Sequence, residues 1–183
     1  MMKFCPNPGG TDITLMKRTE TPIVLRSLSL DDLDMMMKLT NDPDVVLFIP
    51  GLIQDRESMS AWISGLGKRD KEFMILLDNA PIGECSLTEI KDSGKIGIML
   101  FPAFWRQGYG TEVIRQLILL AAKQNLKSLT ATTSRMNKPC IRLLQKMGFK
   151  EMAVGWMVSE EKIDVPGPMK ELFETVMFEK TLC

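Results

Sequence analysis

A chain of 183 residues, 45% apolar and 25% charged, has the length and proportions of one ordinary globular domain with a full hydrophobic core. Its 23 basic and 23 acidic residues balance, which argues against a general nucleic-acid binder, and no apolar run reaches the length of a membrane span. Histidine is absent and Cys5, Cys85, Cys140 and Cys183 form no C-x-x-C pair, so a Cys/His zinc site and every His-dependent nucleophile are excluded and no metal is expected. Proton transfer falls to carboxylates, thiols, lysines, the single Tyr109 or water. The 15 methionines read as adaptable core filling. With no signal-type apolar segment at the start, the expected compartment is the cytoplasm.

Residues 1–20 include Cys5-Pro6-Asn7-Pro8-Gly9-Gly10 and read as a loose extension or edge element; residues 21–183 read as one domain. Residues 21–27 alternate like a strand. Ser29 to Asp32 offer N-cap chemistry for a helix over 33–40, which Asn41-Asp42-Pro43 ends. A second short helix fits 55–65, with Met59, Trp62 and Ile63 on one side. Three strands follow over 72–77, 82–90 and 95–100, joined by turns at Asp78-Asn79-Ala80-Pro81 and Lys91-Asp92-Ser93-Gly94. A helix over 111–124 buries Val113, Ile114, Leu117 and Ala121. The strand over 126–133 must return parallel to its predecessor, because a helix intervenes. A helix over 138–147 closes at Gly148, and strands over 149–154 and 172–178 flank a loop at Pro166-Gly167-Pro168. The order is β-α-α-β-β-β-α-β-α-β-β, an α/β domain.

Phe104-Trp105-Arg106-Gln107-Gly108-Tyr109-Gly110-Thr111-Glu112 spans the junction of the fourth strand and its helix. Two glycines flanking one residue let a loop wrap with its N–H groups inward, and the helix start adds free N–H groups and a positive dipole end. The result is a seat for a phosphate-like anion, with Arg106 beside it. The segment lacks the Gly-Lys-Ser/Thr of a Walker loop and the third glycine of a dinucleotide fingerprint. Alone, such a turn is equally a tight connection.

Two further segments join it: Ile82-Gly83-Glu84, and Asn137-Lys138-Pro139-Cys140 through Leu144 to Gly148-Phe149. With the element order, the three together resemble the GNAT superfamily of acyl-CoA N-acyltransferases, nearest the branch of ribosomal-protein-alanine and diamine N-acetyltransferases. The resemblance spans residues 23–178. It implies a mixed, mostly antiparallel sheet with flanking helices and a splayed parallel pair at strands four and five. It implies acetyl-CoA as cosubstrate and direct acetyl transfer, in a ternary complex, to a primary amine of a protein N-terminus, a polyamine or another small molecule.

By that resemblance Ile98, Met99 and Leu100 line the pantetheine arm. Gln107, Gly108, Tyr109, Gly110 and Thr111 hold the pyrophosphate beside Arg106, with bulk at Gly110, or at Gly108 and Gly110 together, expected to block it. Asn137 faces the pantetheine end and Arg142 lies near the cofactor. Four positions depart from the pattern: Trp105 opens the loop, Leu144 fills the tyrosine slot, Cys140 the alternative serine slot, and Lys95 replaces a fourth-strand glutamate. The catalytic candidates are Cys140 and Glu84. Cys140 sits at a helix start, which lowers a thiol pKa, and could protonate the departing thiolate; it also reads as simple packing. Glu84 could take the amine's proton, with Glu72 and Glu89 as alternatives, or be structural; alternation puts Glu84 and Glu89 on opposite faces. A non-catalytic acyl-CoA sensor and a nucleotide-binding protein remain as rival functions, and the acceptor and the assembly, monomer or homodimer, stay open.

Overall fold

The computed structural model of the chain describes residues 22–49, 55–156 and 174–182; the expectations for residues 1–20 and 166–168 lie outside them. Chain order gives β1 (Ile23–Ser27), α1 (Leu33–Thr40), α2 (Pro43–Val46), α3 (Arg56–Ser64), β2 (Asp70–Leu77), β3 (Ala80–Ile90) and β4 (Ser93–Leu100). It continues with α4 (Tyr109–Lys123), β5 (Ser128–Ser134), α5 (Lys138–Lys146), β6 (Lys150–Trp156) and β7 (Glu174–Thr181). The expected order holds apart from one addition. Asn41-Asp42-Pro43 does end α1, but Asp42 then accepts the amides of Asp44 and Val45 at 3.0 and 3.3 Å and, with Pro43 at the first helical position, starts the short α2.

The strands form one seven-stranded sheet in the order β1-β2-β3-β4-β5-β7-β6. Asp78 (φ 51°) and Asn79 (φ 63°) both adopt left-handed backbone, so a two-residue turn joins β2 to β3 and β3 starts at Ala80 rather than Ile82. Every pairing is antiparallel except β4 with β5, which α4 separates in sequence. That parallel ladder is short: Ser93 to Ile96 pair with Ser128 to Ala131, and both strands then run on without each other, to Leu100 and Ser134. The expected splay is therefore present.

Two cores cover the two faces. On one, α4 buries Val113, Ile114, Leu117 and Ala121 against Ile75, Cys85, Leu87, Leu129 and Phe178; each fully buried aliphatic side chain contributes about 1.5–3 kcal/mol. On the other, α1 and α3 lay Met36, Met59 and Ile63 over Met74 and Leu76. The methionines divide: Met36, Met59 and Met74 fill core, while Met136, Met152 and Met177 are exposed.

Candidate active site

The glycine loop folds as its residues require. Gly108 has φ 91°, a left-handed position from which the chain enters α4 two residues earlier than expected. Its carbonyl receives the amides of Thr111 and Glu112 at 3.0 and 3.2 Å. No side chain caps the helix, and the N–H groups of Gly108, Tyr109 and Gly110 have no acceptor among the described residues. The Trp105 indole N–H donates to the Leu100 carbonyl at 2.7 Å, tying the loop to the end of β4. The Gln107 side-chain amide donates to the Ala103 carbonyl at 2.6 Å, and the Tyr109 ring stands edge-on to Phe104 at 6.1 Å. Arg106 is exposed and itself left-handed, φ 59°.

The two glycines differ in what they do. A Cβ at Gly108 would meet nothing within 4 Å, so backbone conformation alone demands glycine there. A Cβ at Gly110 would lie 2.9 Å from Leu143 Cδ2, with Ile98 and Leu100 about 4 Å off. Gly110 thus lets α4 approach α5 and β4. Bulk at Gly110 therefore meets α5 first, at the edge of the cavity that Gly110 also lines.

Asn137 caps α5, its side-chain oxygen accepting the Cys140 amide at 3.1 Å. This role accounts for an asparagine here without invoking a ligand. Cys140 follows in the first turn, but the lowered thiol pKa expected of a helix start is not found. Burial pushes the Cys140 thiol up, and a hydrogen bond with Thr133 offsets this only in part. The thiol is held in its protonated form. Leu144, in the tyrosine slot, is buried core. Arg142 is exposed on the same helix.

The splay exposes main chain. Phe101 donates its amide to the Ile82 carbonyl at 3.0 Å, so Glu84–Met99 and Ser86–Gly97 are the bonded pairs of the β3–β4 ladder. The main-chain groups of Ile98 and Leu100 then face away from β3, toward the gap that β5 has left, the Leu100 carbonyl being held there by the Trp105 indole. A cavity of about 490 Å³ fills that gap. Its walls include Ile98 to Leu100, Gly108, Gly110 and the start of α5, and its charged residues are Arg106 and Arg142, with no acid among the described ones. Ile98, Met99, Leu100, Arg106, Gly108, Gly110, Thr111, Asn137, Cys140 and Arg142 all reach this one cavity. Of the expected contacts, Gln107 and Tyr109 lie beside it.

A second cavity, about 650 Å³, lies toward α1 and α3 and shares Phe48, Ile49, Ile98, Met99, Asn137 and Cys140 with the first. Glu72 and Glu84 are in its walls. Glu84 is only 4% exposed, and burial, with Glu72 beside it, pushes its carboxyl well above the usual carboxylate range. Burial also raises Glu72, while its hydrogen bond with Glu84 works in the opposite direction. Glu89 is elsewhere, paired with Lys71. The Glu72–Glu84 contact was not legible in the sequence, because it needs the register of β2 against β3.

These features agree with what the chain is similar to. Residues 23–150 match the acetyltransferase (GNAT) domain, and the chain belongs to that family. Its fold is shared with solved structures of low identity. Spermidine N-acetyltransferase from Vibrio cholerae in complex with CoA and spermine is 17% identical, with a TM-score of 0.73 over 87% of this chain and 95% of that one. An aminoglycoside acetyltransferase, AAC(6')-Ib, in complex with coenzyme A is 16% identical, with a TM-score of 0.69 over 87% and 95%. A domain from Methanocaldococcus jannaschii DSM 2661 is 18% identical, with a TM-score of 0.72 over 89% and 100%. A search among curated proteins by sequence finds no match.

Proposed function

We propose that the chain is an acetyl-CoA-dependent N-acetyltransferase, of the branch that its motifs most resemble, which passes acetyl directly to a primary amine while both substrates are bound. The observation that carries this reading is the parallel ladder that stops at Ile96 and Ala131 and leaves the main chain of Ile98 and Leu100 facing a cavity bounded by an uncapped helix start. An extended amide-bearing arm can add to such a strand edge by main-chain hydrogen bonds. The amides of Gly108, Tyr109 and Gly110, with the α4 dipole, suit the pyrophosphate, and Arg106 and Arg142 supply the only described charges on that side.

Acetyl-CoA supplies a thioester whose carbonyl carbon is open to an amine. The chain's part is to hold it still, to offer main-chain N–H groups where the carbonyl oxygen gains charge, and to manage two protons. Cys140 borders both cavities and keeps its proton, which suits it to protonate the departing sulfur. Glu84 lies on the acceptor side, where the amine must lose a proton.

Thermal unfolding with coenzyme A tests the binding half. A ligand at about 100 times its Kd, bound only by the folded state, adds about 2.7 kcal/mol, and an upward shift in Tm is expected. No shift at millimolar coenzyme A contradicts the reading. Thiol release above buffer hydrolysis with an amine present separates a transferase from an acyl-CoA sensor.

A further inference from the structure

The second cavity holds a charge arrangement that cofactor binding does not explain. Glu72 on β2 and Glu84 on β3 are diagonal neighbours on one face, since Ser86 stands opposite Glu72 and Met74 opposite Glu84. Among the described residues neither carboxylate forms an ion pair with a lysine or arginine. A hydrogen bond between the two carboxyls needs a proton on one of them, and burial with Glu72 beside it pushes the Glu84 carboxyl well above the usual carboxylate range. A buried acid with no cation beside it is costly. This one is not sealed in the core but lines a cavity.

Its position relative to β4 gives it a use. Glu84 stands opposite Met99, between Ile98 and Leu100, the two residues whose main chain faces the splay. Glu84 is thus one strand, and Glu72 two strands, from the edge proposed to hold the thioester arm, on the face that the second cavity opens. Over it α1 and α3 place Met36, Thr40, Met59 and Trp62, with no titratable group, and Phe48 closes the side shared with the first cavity. The other charged or titratable groups facing it are few: Asp70 on the same face of β2, Lys95 on the β4 wall, Cys140 on α5, and Arg26, which Asp32 already holds.

We propose, building on the reading above, that Glu72 and Glu84 form the seat for the acceptor's amine: Glu72 takes the proton the ammonium must lose, Glu84 positions Glu72 through their shared hydrogen bond, and the thioether and aromatic walls select a singly charged primary amine with an apolar body. The steps balance. The ammonium gives one proton to Glu72, which passes it to water. The neutral amine forms the N–C bond as the C–S bond breaks, and the second N–H proton ends on the departing sulfur. The net products are the acetylated amine, coenzyme A and one proton. A polyamine fits less well, because a second ammonium laid against Met36, Met59 and Trp62 finds no counter-charge there, the one further acid facing the pair, Asp70, lying along β2 instead.

The test uses the full chain, saturating acetyl-CoA, and thiol release with 2-phenylethylamine and with spermidine between about pH 5.5 and 9, for wild type, Glu72→Gln, Glu84→Gln and Glu84→Leu. Wild type is expected to use phenylethylamine at least about tenfold better than spermidine in kcat/KM. Glu72→Gln should lower kcat/KM by roughly 10²–10⁴-fold near neutrality, with acetyl-CoA affinity unchanged and the loss narrowing at high pH, where a larger fraction of the amine is free. Glu84→Gln keeps a donor to Glu72 and should hold the acid limb of the pH profile, at a loss of about tenfold or less. Glu84→Leu removes that donor, so Glu72 gains protons more readily and the limb moves to higher pH. A merely structural glutamate would not move it. A Glu72→Gln loss within about threefold at every pH, a preference for spermidine, or no turnover of either amine by a protein that binds acetyl-CoA overturns the seat. Failure to bind acetyl-CoA overturns the transferase reading itself, and is seen separately by calorimetry.

Discussion

The two adjoining cavities along β4 are built by different means. The first is made of main chain: a strand edge that has lost its partner, and a helix start whose amides have no acceptor among the described residues. Its charge is positive and comes from two exposed arginines. The second is made of side chains. Methionines and Trp62 from α1 and α3 form one wall, and two neighbouring carboxyls on adjacent strands, Glu72 and Glu84, are its acids. Backbone recognition suits a cosubstrate of fixed shape. Side-chain recognition can change from one chain to the next while the fold stays the same.

The comparison breaks first at Gly108. Gly108→Val forces a β-branched residue into φ 91°, which costs about 1–3 kcal/mol and turns the free amides away. Coenzyme A affinity measured by calorimetry should fall by roughly 100-fold, about 2.7 kcal/mol, with the melting transition still cooperative. Unchanged affinity would remove the loop from the site.

Cys140 stands on both walls and sharpens the boundary between them. Cys140→Ala should lower kcat at saturating substrates by at least about tenfold, with acetyl-CoA affinity little changed, and Cys140→Ser should retain more because a hydroxyl also donates. A kcat within about threefold of wild type in the alanine variant reassigns the thiol to packing.

A smaller effect belongs to the two arginines. Replacing Arg106 and Arg142 together by Gln should weaken coenzyme A about five- to tenfold at low salt, and less at high salt, because exposed charges are screened. Titrations at two salt concentrations check it; a loss independent of salt would point to packing instead.

The smallest concerns the second cavity's stability. Folded Glu84 keeps its proton at pH values where the unfolded residue has lost it. The native state then binds more protons than the unfolded one, so stability falls as pH rises from the ordinary carboxylate range toward the raised folded value. Glu84→Gln removes this dependence. Its Tm should exceed that of wild type by a margin that grows over that window, with about 2–4 °C for each kcal/mol at this chain length. Thermal melts across pH decide; a constant margin would mean that Glu84 ionises normally.

The first cavity was far more legible in the sequence than the second, for a physical reason. Gly108 and Gly148 act on their own segments: a left-handed turn and a helix end are local events that spacing reveals, whereas the Asn137 cap, equally local, was read only as a cofactor contact. The parallel pairing of β4 with β5 followed from one helix between two strands, and the splay from the family resemblance. The start of α2 was missed because Asp42-Pro43 reads equally as a stop and as a cap with Pro at the first helical position. The Cys140 thiol was misjudged because its helix start is local, while the burial that outweighs it comes from elements far off in sequence. The Glu72–Glu84 contact depends on a hairpin register with a bulge between Ile75 and Leu76, which alternation alone does not place.

The central claim is that exposed main chain holds the cosubstrate, and amide hydrogen exchange with and without coenzyme A tests it most directly. Saturating coenzyme A should slow exchange at Ile98, Leu100, Gly108, Tyr109 and Gly110, and leave the paired strand Ser128 to Ala131 unchanged. Bound coenzyme A with no slowing at those five amides would contradict the account.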